Sequence, residues 1–376
     1  MSASRARSAI PLVDLAALHR QTAKEVEAAV RRVLASGSYI LGAQVRAFEA
    51  ALAAQSGCLH GVGVNSGTDA IELALRACRI GPGDDVLVPA MTFMSTALSV
   101  TAVGARPVIV DIEEKSYGID PEDAARRCTS ATKAIIPVHL YGQACDLDGV
   151  LRLARRRRLA VIEDCAQAAG ASYRGRPVGS FGDAGCFSFY PTKNLGAAGD
   201  GGAVVTRSAE IARRVRLLRN YGTEDKVTFT EFGRNSRLDE LQAAILLVKL
   251  KHLASWNAAR HLRAGWYRDA FADARIPGIR LPQELPRRSH IYHVYAVRVP
   301  DRDRVSRELE ARGIQTIVHY ARPIHLDSIY TGQPLRAGDL PAAEALAREV
   351  ISLPMHPFLT RTEIRTVVAA IAQTLR

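Results

Sequence analysis

SFYPTKNLGAAGDGG, residues 188–202, sets one lysine, Lys193, five positions after Ser188 and just before a glycine-rich run. Its neighbours include Phe187, Phe189 and Tyr190, a setting unlike that of a solvated surface cation. Residues 185–190 (GCFSFY) and 201–207 (GGAVVTR) read as two strands bracketing the lysine loop. Twenty-nine positions upstream of Lys193, the apolar run LAVIED ends on Asp164, with Gln167 three residues on. A near-continuous apolar run of this length marks a strand buried on both faces, as in a parallel sheet covered by helices. An amine, a carboxylate and polar donors in this order suit an aldehyde cofactor held as a Schiff base. Pyridoxal phosphate pairs its lysine with an acid at the pyridine nitrogen, so the stretch points to an enzyme using that cofactor.

Strands and helices alternate outward from this stretch, which predicts an α/β layer structure. Helices are expected over 16–35 and 43–55, then a strand at 61–64 and a helix through 71–80 that stops at Gly81-Pro82-Gly83. Strands are expected over 85–90, 106–112 and 133–142, and helices over 94–104, 147–158 and 211–219. The segment 238–274 reads as helical throughout and too long for one layer, hence a connector between a large and a small domain. Beyond Pro286 the pattern becomes strand (291–299), helix (302–313), strand (315–320) and a terminal helix from about 360. The division expected is 1–255 for the large domain and 256–376 for a small C-terminal α/β domain.

Composition agrees with a soluble enzyme. Of 376 residues, 48% are apolar and 23% charged, ordinary for a folded chain with a large core. The formal charge of +12 suits an anionic partner such as a nucleotide diphosphate. The densest basic cluster, Arg155 to Arg158, closes a predicted helix, where cations suit the carbonyl end. Without interleaved aromatics or a recognition motif, nucleic-acid binding is set aside. Six cysteines, with no CxxC pair, predict reduced thiols in a cytoplasm, and no metal site is expected. The basic N-terminal residues lack the apolar stretch of a signal peptide, and no segment is long enough to span a bilayer.

Three further groups carry chemistry. NSGTD, residues 65–69, sits between a strand and a helix, where free amides, Gly67 and the Thr68 hydroxyl would form a phosphate cup. The residues alone equally allow a plain helix cap by Thr68 or Asp69. Phe93, in PAMTF, could stack on a cofactor ring or belong to the core. Asp164 could face a ring nitrogen or cap the following helix, and Gln167 could donate to a phenolate oxygen.

Taken together these stretches resemble the DegT/DnrJ/EryC1/StrS sugar aminotransferases, enzymes of fold type I (aspartate aminotransferase-like). The resemblance runs from about Leu12 to the C-terminus through VNSGTDAIELAL, PAMTF, PVHLYGQACDLDG, VIEDCAQAAGASYRG, FSFYPTKNLGAAGDGG, LRNYG, NSRLDELQAAIL and VHYARPIHL. It implies Lys193 as Schiff-base lysine, Asp164 at the pyridine nitrogen, Gln167 at the phenolic oxygen and Phe93 on the ring. Gly67, Thr68 and Ser188 would hold the phosphate, joined by Asn235 from the second subunit of a homodimer. Arg237, Tyr320 and His325 fall where the family contacts the sugar nucleotide. His139 and Tyr141 are expected on the substrate side, although His139 could equally be a satisfied strand-end histidine. Where many relatives read HYP, this chain has Tyr320-Ala321-Arg322, which adds a cation on the expected nucleotide path or one open to solvent.

The implied reaction is ping-pong transfer from L-glutamate to a nucleotide-linked keto-sugar. Residues 139–149, 289–303 and 351–357 look most like members that aminate C3 of a dTDP-3-keto-6-deoxyhexose. Amination at C4, or of a UDP-3-keto-hexosamine, stays open. A family dehydratase would carry histidine in place of Lys193, and a non-catalytic regulator would have lost Lys193 or Asp164.

Overall fold

The computed structural model describes residues 9–330 and 335–375. The basic start of the N-terminus, residues 1–8, lies outside the described residues. Two helices, α1 (Leu15–Ser36) and α2 (Ala43–Gln55), lead into β1 (His60–Val64) and α3 (Gly67–Ala77). Then follow β2 (Asp85–Pro89), α4 (Ser95–Ala102), β3 (Arg106–Val110), α5 (Pro121–Arg127), β4 (Thr132–Ile135) and α6 (Leu147–Arg157). Next come β5 (Ala160–Asp164), a hairpin of β6 (Ser172–Tyr173) and β7 (Arg176–Pro177), β8 (Ala184–Ser188), β9 (Gly202–Thr206) and α7 (Ala209–Leu218). The remainder is α8 (Glu240–Leu250), α9 (Leu253–Ala274), β10 (Tyr295–Arg298), α10 (Arg302–Ala311), α11 (Pro341–Glu349), β11 (Val350–Leu353) and α12 (Arg361–Leu375).

Seven strands form one sheet in the order β1-β9-β8-β5-β4-β2-β3. Only β9 runs against the others, pairing antiparallel with both β1 and β8. The central strand β5 is flanked by β4 and β8, and its Val161 to Asp164 are all buried, as the apolar run predicts. One core, with Ile71, Val88, Ile136 and Ile162, lies against one sheet face, and a second, with Phe48, Leu87, Ile135 and Phe187, against the other. A two-stranded antiparallel sheet, β10 with β11, belongs to a further core built with α9, α10 and α12 around Tyr267, Tyr295, Leu309 and Val367. The position expected for a domain division, 255/256, falls inside α9, whose Leu253 joins the second core and whose Tyr267 and Phe271 join the third. Among the described residues no helix is long and apolar enough to cross a membrane.

Several expected elements differ. The strand expected over 133–142 stops at Ile135. Pro137 has no N–H to give the ladder, and Leu140–Gly142 forms a tight 3-10 turn with Tyr141 at φ 59°. The single helix expected over 238–274 is two, broken at Lys251-His252, so that α8 lies on α1 and α2 while α9 packs on α12. The strand expected over 315–320 reduces to one bridge, Ile317 with Ser352. The short helices α5 and α11, the β6–β7 hairpin and β11 add to the predicted set.

Candidate active site

In open α/β sheets ligands bind beyond the carboxyl ends of the parallel strands. Here those ends deliver the residues singled out above: Gly67 and Thr68 after β1, Phe93 after β2, Asp164 and Gln167 at β5, Ser188 at the end of β8 and Lys193 after it. Lys193 keeps a partial opening, but its amine has lost most of its water. That burial lowers its pKa to about 8, although Asp164 pulls it the other way. The loop is pinned by backbone bonds from Lys193 N to Tyr190 O and from Ala197 N to Phe189 O. Behind it, Asn194 donates to Asn257 Oδ1 and pairs with Nδ1 of the buried His293 at 3.1 Å.

Asp164 is buried, and burial pushes its carboxyl above the ordinary range. The Ala166 N–H at 3.1 Å, the Thr96 hydroxyl at 2.9 Å and the charge of Lys193 oppose that shift. Gln167 accepts from Tyr141 N at 2.7 Å and donates to Tyr320 Oη at 3.1 Å, which ties Tyr320, far along the chain, to the β5 end. Phe93 is 59% exposed, so it is not a core residue, and its ring centroid lies 5.9 Å from that of Tyr320.

At the start of α3 the cap is Ser66, whose hydroxyl accepts from Asp69 N at 3.1 Å, rather than Thr68 or Asp69. Thr68 is thereby left exposed at the helix opening. A Cβ on Gly67 would stand 2.6 Å from Cβ of Ser188, so only glycine lets the two strand ends meet there. Ser236 ties the following segment to this corner, donating to Asp69 Oδ2 at 2.7 Å and accepting from Asn65 N at 3.2 Å. Its neighbour Asn235 is exposed. Arg237 donates to Asn220 Oδ1 at 3.2 Å and lies over the Tyr221 ring, while its buried Nε has no partner among the described residues.

The other expected substrate contacts are buried in this chain. His139 is fully buried, with Nε2 3.1 Å from Glu163 and Nδ1 accepting from Cys145 N, so the satisfied strand-end reading describes it. Cys165 lies close to this pair. Glu163 already accepts three backbone amides, from Gly179, Phe181 and Gly182, which makes the group a structural anchor beside Asp164. Tyr141 is buried and donates to the His319 carbonyl, holding the segment that carries Tyr320. His325 is buried 3.2 Å from Glu344, with Nδ1 unpartnered among the described residues. Arg322 is exposed, in keeping with its solvent-facing alternative.

The sequence reading missed Thr92 and Thr96, the hydroxyl pair behind Asp164. Their signal was MTFMST directly after a strand, where hydroxyl residues commonly serve helix starts. The set present fits pyridoxal phosphate: a desolvated amine, a buried acceptor beside it, a glycine-made corner at a helix start, and an exposed aromatic ring.

Comparison with known proteins agrees with this geometry. The model of the DegT/DnrJ/EryC1/StrS aminotransferase family matches residues 20–372. The chain is 46% identical to the dTDP-3-amino-3,4,6-trideoxy-α-D-glucose transaminase of Streptomyces venezuelae, covering 99% of this chain and 98% of that protein. It is also 46% identical to the UDP-N-acetyl-3-dehydro-α-D-glucosamine 3-aminotransferase of Acidithiobacillus ferrooxidans, covering 98% of each. The crystal structure of S. venezuelae DesV in complex with a ketimine intermediate superposes with a TM-score of 0.94 at 46% identity, over 97% of this chain and 98% of that one. With a fold, a site and a sequence match that extend over nearly its whole length, the chain belongs to the DegT/DnrJ/EryC1/StrS aminotransferase family.

Proposed function

We propose that this enzyme moves an amino group from L-glutamate to C3 of a nucleotide-linked 3-keto-sugar, with a dTDP-3-keto-6-deoxyhexose as acceptor. The observation that carries the reaction class is the Lys193 amine, lowered to about 8 by burial, standing beside the buried Asp164. Position 3 is supported by two relatives at equal identity, both named for amination there. That equality also supports a second reading, a UDP-linked 3-keto-hexosamine. Retention of both Lys193 and Asp164 weighs against the dehydratase and the regulator.

When bound, pyridoxal phosphate supplies an aldehyde that carries the amino group and a ring that draws electrons from the substrate carbon. Lys193 would hold the aldehyde, and Asp164 the ring nitrogen. Gln167 would face the phenolic oxygen and Phe93 the ring, with Gly67, Thr68 and Ser188 at the phosphate. Lys193 Nζ would also move a proton at the substrate carbon, a task suited to an amine whose pKa lies near working pH. The donors Asp164 accepts would favour its ionised form against the upward push of burial, and Gln167 with Tyr320 would cover the ring side against water. Arg237 and Tyr320 would bind the sugar nucleotide, with His139, Tyr141 and the buried His325 supporting the wall behind them.

We also assign a homodimer, with Asn235 completing the phosphate site of a second copy. Asn235 is exposed and follows a segment whose Val227, Phe229 and Phe232 are 79%, 63% and 95% exposed, an apolar face that a second subunit would cover. A cytoplasmic setting fits the six free thiols. The test is a panel of dTDP- and UDP-linked 3-keto- and 4-keto-sugars supplied with 15N-glutamate, with products read by NMR. Label at C3 of a dTDP sugar is expected. Transfer only at C4, or to no keto-sugar, overturns the assignment.

A further inference from the structure

We propose that Thr92 and Thr96 form a two-hydroxyl relay that holds Asp164 as the ionised partner of the cofactor's ring nitrogen. Thr96 is thus a positioning residue, and Thr92 acts through it. The inference rests on the reading of Asp164 given above.

The argument is one of donors and acceptors. Thr92 Oγ1 lies 2.9 Å from Thr96 Oγ1, and Thr96 Oγ1 lies 2.9 Å from Asp164 Oδ2. Both threonines are buried, at 5% and 0% exposure, so water does not compete for these bonds. An ionised carboxylate accepts only, so the Thr96 hydrogen points at Oδ2. Having spent its one hydrogen there, Thr96 must accept from Thr92, and the chain has a single direction: Thr92 to Thr96 to Asp164. Ala166 N–H occupies the other oxygen, Oδ1, at 3.1 Å. Each carboxylate oxygen therefore has one fixed donor and keeps further acceptor capacity. Protonating Asp164 would remove the reason for this direction and leave the hydroxyl chain to reverse.

The relay opposes a definite cost. Burial by itself favours the neutral acid, which cannot stabilise a protonated ring nitrogen. A hydrogen bond to a charged group is worth more than one between neutral groups, and a polarised second donor strengthens the first. Thr96 is the second residue of α4 and Thr92 lies four residues earlier in the turn after β2, so the backbone sets their spacing.

The experiment uses apoprotein of the full chain, titrated with pyridoxal phosphate and with its analogue lacking the ring nitrogen. Thr96→Val, nearly isosteric, should weaken pyridoxal phosphate binding roughly tenfold or more, and leave the analogue's affinity within about twofold of wild type. With 15N-labelled cofactor, the ring-nitrogen resonance should shift toward the unprotonated position in Thr96→Val and return in Thr96→Ser. Thr92→Val should weaken binding a few-fold alone and add nothing on top of Thr96→Val, because its action passes through Thr96. Equal losses for both ligands, an unmoved 15N resonance, or additive effects of the two valines overturn the relay. Should Thr96→Val not fold, Thr92→Val with the same ligand pair decides. Failure of the underlying site reading looks different, since wild-type protein itself would then bind neither ligand.

Discussion

Asp164→Asn should lower, not raise, the pKa of the Lys193 amine in the apoprotein. Two forces act on that amine: burial, which dominates and favours the neutral form, and the Asp164 carboxylate, which favours the ammonium. Together they bring the pKa from 10.5 to about 8, which favours the neutral amine by about 3 kcal/mol relative to an ordinary lysine. At pH 7 about one Lys193 in eleven is then neutral, against about one in three thousand for an ordinary lysine. Replacing the carboxylate by an amide removes the opposing attraction and keeps the burial, so the neutral fraction rises further. The assay is acylation of the apoprotein by an amine-selective reagent from pH 6 to 11, with the peptide containing residue 193 quantified by mass spectrometry. Wild type should show a midpoint near 8, and Asp164→Asn a lower one. A wild-type midpoint at 10 or above, or an upward shift in the variant, refutes the reasoning. The same balance enters stability with a definite sign. Between about 8 and 10.5 the unfolded chain holds more protons at this lysine than the folded one. The contribution of Lys193 to apoprotein stability is therefore present above 10.5 and lost as pH falls through about 8.

Three other perturbations test separate parts of the account. Gly67→Ala drives a Cβ to 2.6 Å from that of Ser188, so cofactor affinity measured by equilibrium dialysis should fall roughly tenfold; unchanged affinity contradicts the tight corner. Glu163→Gln keeps one acceptor oxygen for the Phe181 and Gly182 amides but sets an N–H donor against the Gly179 amide and His139, and urea unfolding should register a loss of about 2–4 kcal/mol. A loss under about 0.5 kcal/mol would show that anchor to be dispensable. Replacing Phe229 and Phe232 together by glutamate should yield monomers by light scattering and weaken cofactor retention, whereas a stable dimer would remove the assigned interface.

Much of this site was legible because its pieces lie at strand ends with sharp local patterns. LAVIED could hardly be anything but a covered strand, and it set Asp164 at the ligand end of the sheet, although a helix cap stayed open for that carboxylate. Gly67 and Ser188 were separately visible, but their contact was not, since it depends on β9 pairing with both β1 and β8. The Thr92–Thr96 pair escaped for a similar reason: hydroxyls are common after strands, and only the fold sets them against Asp164. Tyr141 and His325 looked available in sequence, yet Tyr141 supports His319 and His325 faces Glu344, contacts that join distant segments. The break between α8 and α9 carries no proline or glycine, so nothing local announces it. By contrast, the β6–β7 hairpin could have been found, since Arg174-Gly175 supplies the two positive-φ residues a tight turn needs.

The most direct measurement is borohydride reduction of the purified, cofactor-loaded enzyme, followed by proteolysis and mass spectrometry. A pyridoxyl group on residue 193, absent from Lys193→Ala, is the predicted result. Reduction that leaves residue 193 unmodified, or tags another lysine instead, would contradict the site.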